Sequence, residues 1–147
     1  MNILIEEKDV SLVTLSLELE QAAVEHVLQD NRIIYVTSQD VAFPFWLDVA
    51  EGSRLICLST YLDFLSEVET IERLEFCNRV NSTVFLPAGR ERKGRFYADY
   101  AFSYRDGLLR TQFVRLCRFY ADSVARIVRE FDPNHEILKP VGAANNA

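Results

Sequence analysis

The sequence predicts an α+β fold: an antiparallel sheet of about five to six strands packed with an N-terminal helix, a middle helix and a long C-terminal helix. Three observations carry that prediction. Runs rich in β-branched and aromatic residues, several alternating apolar with polar, lie between residues 32 and 61 and between 84 and 104. The links between neighbouring runs are short, which favours antiparallel pairing over parallel crossovers. An apolar stripe of helical period then runs from Phe113 to Phe131. With 147 residues, 49% hydrophobic and 26% charged, the chain is long enough to bury a core and has the balance of a folded protein.

The first helix is the hardest element to place. Leu15, Leu17 and Leu19 alternate with polar residues like a short strand, whereas from Leu17 onward Leu17, Val24 and Leu28 recur at helical spacing beside Ala23 and Val27. A helix beginning after Asp9 or Ser16 as its cap is expected, interrupted at Gln21 and followed by a turn at Asp30-Asn31. Strands follow at Arg32–Thr37, at Phe43 to Val49 with Pro44 at its start, and at Arg54 to Tyr61 after a turn at Glu51-Gly52-Ser53. Ser66-Glu67-Val68-Glu69 matches a capping box, and the helix after it is expected to bury Ile71, Leu74, Cys77 or Asn78, and Val80 or Asn81. Glu69 with Arg73 and Glu75 with Arg79 stand four apart in the favourable order.

A strand at Val84-Phe85-Leu86, a loop from Pro87 to Gly94 and a long strand from Arg95 to Tyr104 come next. In that strand Phe96, Ala98, Tyr100, Phe102 and Tyr104 share one face. Arg105-Asp106-Gly107 turns the chain into the last helix, which buries Phe113, Leu116, Cys117, Tyr120, Val124, Ile127, Val128 and Phe131 and ends before Pro133. One domain over residues 1–132 is expected, with a mobile tail over 133–147.

The charge is divided along the chain. Residues 1–78 carry 15 acids and 4 bases, residues 79–130 carry 11 bases and 5 acids, and the net charge is −6. Such an acidic chain is not expected to bind nucleic acid or an anionic membrane, both of which reward positive charge. No run approaches the roughly 18 apolar residues of a membrane span. The first residues show no basic segment ahead of an apolar one, and three cysteines at no metal-binding spacing read as reduced thiols, so a cytoplasmic location is expected. If the two charge regions neutralise each other, Arg115, Arg118, Arg126 and Arg129 should lie near acids of residues 1–78. An open arginine patch would instead suit an acidic partner.

Chemical motifs are few. Gly89 to Gly94 resembles a phosphate loop only in its two glycines, because Arg95-Phe96 and a strand follow where Lys, a hydroxyl residue and a helix are needed. His26 and His135 stand apart from each other and from Cys57, Cys77 and Cys117, so neither a metal site nor a Cys–His pair is expected. No catalytic residue, metal or cofactor is therefore assigned, and the protein is not expected to be an enzyme. The candidate contact residues are Trp46 and Tyr97, on faces opposite the apolar stripes, and the basic helix stripe of Arg115, Arg118, Arg126 and Arg129.

Phe43-Pro44-Phe45-Trp46-Leu47, the Leu55-to-Leu62 strand, Leu74 through Asn81 and the aromatic-rich final helix together resemble the YbjN family, whose label is that of bacterial sensory transduction regulators. The match runs from Leu12 to Phe131, most specifically through the helix bearing Asn78 and Asn81. The resemblance implies a fold similar to type III secretion chaperones, often dimeric, and a non-enzymatic role in bacterial regulation through an undefined partner. Asn78 and Asn81 are read as capping the helix end and bonding to the adjoining strand. The leading expectation is a homodimeric regulator acting through protein–protein contact. A secretion-type chaperone holding an extended client segment is the alternative. A small-molecule sensor or enzyme, with a deep pocket that includes His26, is the second alternative.

Overall fold

The computed structural model describes residues 2–141. In chain order the elements are β1 (Leu4–Ile5), α1 (Leu12–Gln21), β2 (His26–Gln29), β3 (Ile33–Val36), β4 (Phe45–Ala50), β5 (Leu55–Asp63), α2 (Thr70–Thr83), β6 (Ala88–Arg92), β7 (Arg95–Ser103), β8 (Leu108–Leu109) and α3 (Arg110–Phe131). They form an α+β fold with three helices and a six-stranded antiparallel sheet, ordered β2-β3-β4-β5-β7-β6. β1 and β8 pair separately. Contacts divide the chain into two compact units, Met1–Leu58 with Tyr100–Asp122, and Ser59–Asp99 with Ser123–Ala147.

In the first unit, α1 starts between the two caps its sequence offers and stops earlier than its apolar stripe suggests. Ser11 caps it, exchanging hydrogen bonds with Thr14 through both side chains and backbones, so neither Asp9 nor Ser16 does so. Ala23 then takes a left-handed conformation and ends the helix, which sends Val27 and Leu28 into β2. The apparent stripe through Val24 and Leu28 therefore joined two elements. Asp30 and Asn31, both at positive φ, make with Arg32 the three-residue turn between β2 and β3, as their side chains allow. Leu15, Leu19, Ile34, Phe45, Leu47, Phe113 and Tyr120 form this unit's buried core, with the Phe45 and Tyr120 rings edge to face at 5.2 Å. Gly107, at φ +110°, leaves no room for a side chain: a Cβ there would lie 2.9 Å from Leu4 and 3.1 Å from the Ile5 carbonyl.

In the second unit, α2 also departs from its sequence pattern. Its cap is Glu69, whose N–H donates to the Glu72 carboxylate, so the capping box begins three residues later than Ser66. The buried face is Phe76, Cys77 and Val80, while Ile71 and Leu74 are exposed. The face is chosen by packing, since Phe76 meets aromatic rings from elsewhere in this unit. Phe76, Phe64 and Phe96 form an edge-to-face cluster at 5.1 to 6.4 Å. The expected strand at 84–86 is absent: Phe85 is fully exposed, and β6 forms instead over Ala88–Arg92, turning through Lys93-Gly94 into β7. The segment read as a charged loop is thus mostly strand.

Beyond α3 the chain is held where the sequence suggests a tail from residue 133. The buried Asp132 carboxylate accepts from the N–H groups of Glu136, Ile137 and Leu138, and Leu138 bridges to Phe64. The expectation for 142–147 lies outside the described residues.

Candidate functional site

Between α1 and α3 of the first unit lies a cleft of about 440 Å³, lined by Glu18, Gln21, Ala22, Arg110, Thr111, Val114, Arg115 and Arg118. A second cavity of about 340 Å³ shares Arg118 and is bordered by Gln39, Asp40, Val41, Ala42 and Asp122. Glu18 is nearly buried and is paired with Arg110, whose Nε also donates to the Asn2 carbonyl. That pair neutralises the acid within the cleft wall, as a buried carboxylate requires. Arg118 donates to the Ala22 carbonyl at 3.5 Å, near the negative end of α1. Arg115 is exposed and has no hydrogen bond or ion pair among the described residues.

The six residues singled out from the sequence fall in different places. Arg115 and Arg118 line the cleft together. Arg126 pairs with Glu130, one turn further along α3, and Arg129 is exposed. Trp46 is half-buried, its ring 5.0 Å from that of Tyr35. Tyr97 is half-buried against Tyr61 at 5.7 Å, with the Arg90 guanidinium over its ring at 5.6 Å. Arg90 in turn pairs with Asp99, and Arg95 with Asp63.

The charge regions are therefore matched in part. Arg110 with Glu18 and Arg95 with Asp63 join bases of the second region to acids of the first, whereas among the described residues none of Arg115, Arg118, Arg126 and Arg129 is ion-paired with an acid of residues 1–78, though Arg118 shares a cavity with Asp40. Sequence reasoning missed Glu18 and Arg110, which stand 92 residues apart. The available signal was a glutamate between Leu15 and Leu19 on a helix.

The other chemistry-bearing side chains are engaged structurally. His26 Nδ1 donates to the Val24 carbonyl at 2.8 Å, and Nε2 is 2.7 Å from Ser16 Oγ. Burial pushes the Cys77 thiol up to about 11 and raises Cys117 further. Asn81 takes the structural role expected of it: its side-chain amide donates to the Gly89 carbonyl and accepts from the Gly89 N–H, each at 2.7 Å. Gly89 is required beside it, because a Cβ would lie 2.6 Å from the Phe96 ring. Asn78 lines a separate groove of about 520 Å³ in the second unit, with Val68, Glu72, Glu75, Arg79, Glu136 and Ile137. Among the described residues no group of three or more His, Cys, Asp or Glu could hold a metal ion. Among the same residues no helix is long and apolar enough to cross a membrane.

The described residues thus define an α+β protein with three helices and a six-stranded antiparallel sheet, and in its first unit an arginine-walled cleft between α1 and α3. The chain belongs to the YbjN family, described as "Putative bacterial sensory transduction regulator", whose model matches residues 11–133. It is similar to the crystal structure of YbjN from E. coli, named there "a putative transcription regulator", with a TM-score of 0.72 and 14% identity over 89% of this chain and 97% of the other. At that identity the likeness shows the fold alone. No curated protein matches the chain in sequence.

Proposed function

We propose that this protein is a non-catalytic regulator that acts in the cytoplasm through contact with another protein, as a homodimer. The observation that carries the reading is the α1–α3 cleft, open and walled by Arg115 and Arg118, in a chain whose family description is regulatory. Buried thiols at Cys77 and Cys117, held protonated by desolvation, support a role other than nucleophilic catalysis. The secretion-type chaperone reading comes second, favoured by a further cavity that borders the cleft at Arg118. Affinity capture of the tagged chain from its native cell should return a specific protein, and light scattering should give a dimer mass. A strict monomer that captures nothing overturns the reading.

A further inference from the structure

We propose that the groove along α3 in the first unit binds an extended segment of the partner, acidic where it meets Arg115 and Arg118 and basic or amide-bearing where it meets Asp40 and Asp122. The inference rests on the protein-contact reading and gives it a site and a chemistry.

The groove is elongated. Its two cavities share Arg118 in their walls, and the α3 residues that line them run from Arg110 to Asp122, about 18 Å at the helical rise. A strand advances about 3.3 Å per residue, so five or six extended residues fill that length. The first part is lined by the side chains of Arg115 and Arg118 together with Ala22 and Val114. Arg115 is unpaired, and Arg118 is held at one nitrogen by a long bond to Ala22, which leaves further N–H groups directed elsewhere. The only acid lining that part, Glu18, is already neutralised by Arg110. Carboxylates are the complementary ligands, because a guanidinium presents its donors as a fork that matches two carboxylate oxygens. The second part reverses sign. Asp40 holds the Glu25 N–H through one oxygen at 2.9 Å, and Asp122 faces the same cavity as Arg118. A segment laid along the groove thus meets positive charge first and negative charge last, which sets its direction as well as its composition.

The test uses the full chain and a fluorescein-labelled hexapeptide, Glu-Leu-Glu-Leu-Ser-Lys, read by anisotropy at low and high salt. Its charge mirror, Lys-Leu-Lys-Leu-Ser-Glu, is the comparison. Saturable binding of the first peptide is expected, weakening with salt and falling about tenfold on Arg115→Gln or Arg118→Gln. Arg129→Gln leaves binding unchanged. Both Arg115 and Arg129 are exposed, so those variants keep the fold, and thermal melts confirm it for Arg118→Gln. Equal binding of the mirror peptide, no saturable binding, or indifference to both cleft arginines overturns the proposal. So does full displacement by inorganic phosphate at matched ionic strength, which reduces the site to one for a small anion. If the peptide fails while cellular capture of a protein survives the double Arg115→Gln, Arg118→Gln variant, the groove assignment falls and the contact reading stands. If capture itself returns nothing, the reading beneath it falls.

Discussion

At Asp132 one carboxylate accepts from three successive backbone N–H groups, those of Glu136, Ile137 and Leu138, in a site shielded from water. Asp132→Ala leaves those donors without their acceptor, and a loss of about 3 kcal/mol is expected in urea unfolding. Hydrogen exchange at 136–138 should accelerate in the same variant. Glu7 acts in the opposite setting, at the surface. Its carboxyl is held below the usual value by the Asp106 N–H and, secondarily, by the Arg54 side chain. A lowered native value means the contribution is fully present above the ordinary pKa of 4.5 and is lost as pH falls through the native value. Glu7→Gln should therefore shrink the stability difference between pH 6 and pH 3 in thermal melts, with the change confined to the acid side. The thiols give a third reading at this scale. Cys57 is half-exposed, whereas burial disfavours the thiolates of Cys77 and Cys117. A thiol reagent at pH 8 should thus label the native chain at Cys57 first and Cys117 last, with all three equal in denaturant.

The helix α2 shows what periodicity alone leaves undetermined. Ile71, Leu74 and Val80 fit a helical stripe as well as Phe76, Cys77 and Val80 do, and the choice depends on Phe64, just past β5, and Phe96 of β7. Phe76→Ala should cost about 4 kcal/mol, the range for deleting a buried ring. Ile71→Ala and Leu74→Ala should stay within about 0.5 kcal/mol, because both side chains are exposed. Denaturant midpoints for the three variants distinguish the two faces. Elements set by their own residues were legible: the Asp30-Asn31 hairpin turn, the Arg105-Asp106-Gly107 turn and the long amphipathic α3 all lie where local chemistry puts them. The end of α1 was not, because Leu17 and Val24 carry no mark of the left-handed residue between them at Ala23. The same holds for the cleft. Arg115 and Arg118 announce themselves as a basic stripe, but the partner wall comes from α1, and its Glu18–Arg110 pair depends on the tertiary fold.

Across the whole molecule, the net charge of −6 conceals a division that the fold only partly cancels. Arg95 and Arg110 are matched to acids from the early part of the chain, whereas Arg115 has no ion pair among the described residues. The chain belongs to a family described as bacterial regulators, and the proposed role rests on the cleft for its chemistry. The strand β6 has a further consequence for assembly. It lies at one border of the sheet, where an unoccupied strand would offer its outward amides to any passing chain. At Gly89 that offer has been withdrawn, since the Asn81 amide takes the place of a neighbouring backbone on both the donor and the acceptor. Asn81→Ala should thus do more than cost about 1 kcal/mol of stability. Concentrated samples of that variant should convert to thioflavin-positive fibrils faster than the parent chain, and equal conversion rates would argue that this plug has no protective role. With Gly89 closed to zippering, copies of the protein that meet are steered away from this border of the sheet, which leaves β2 as its other edge.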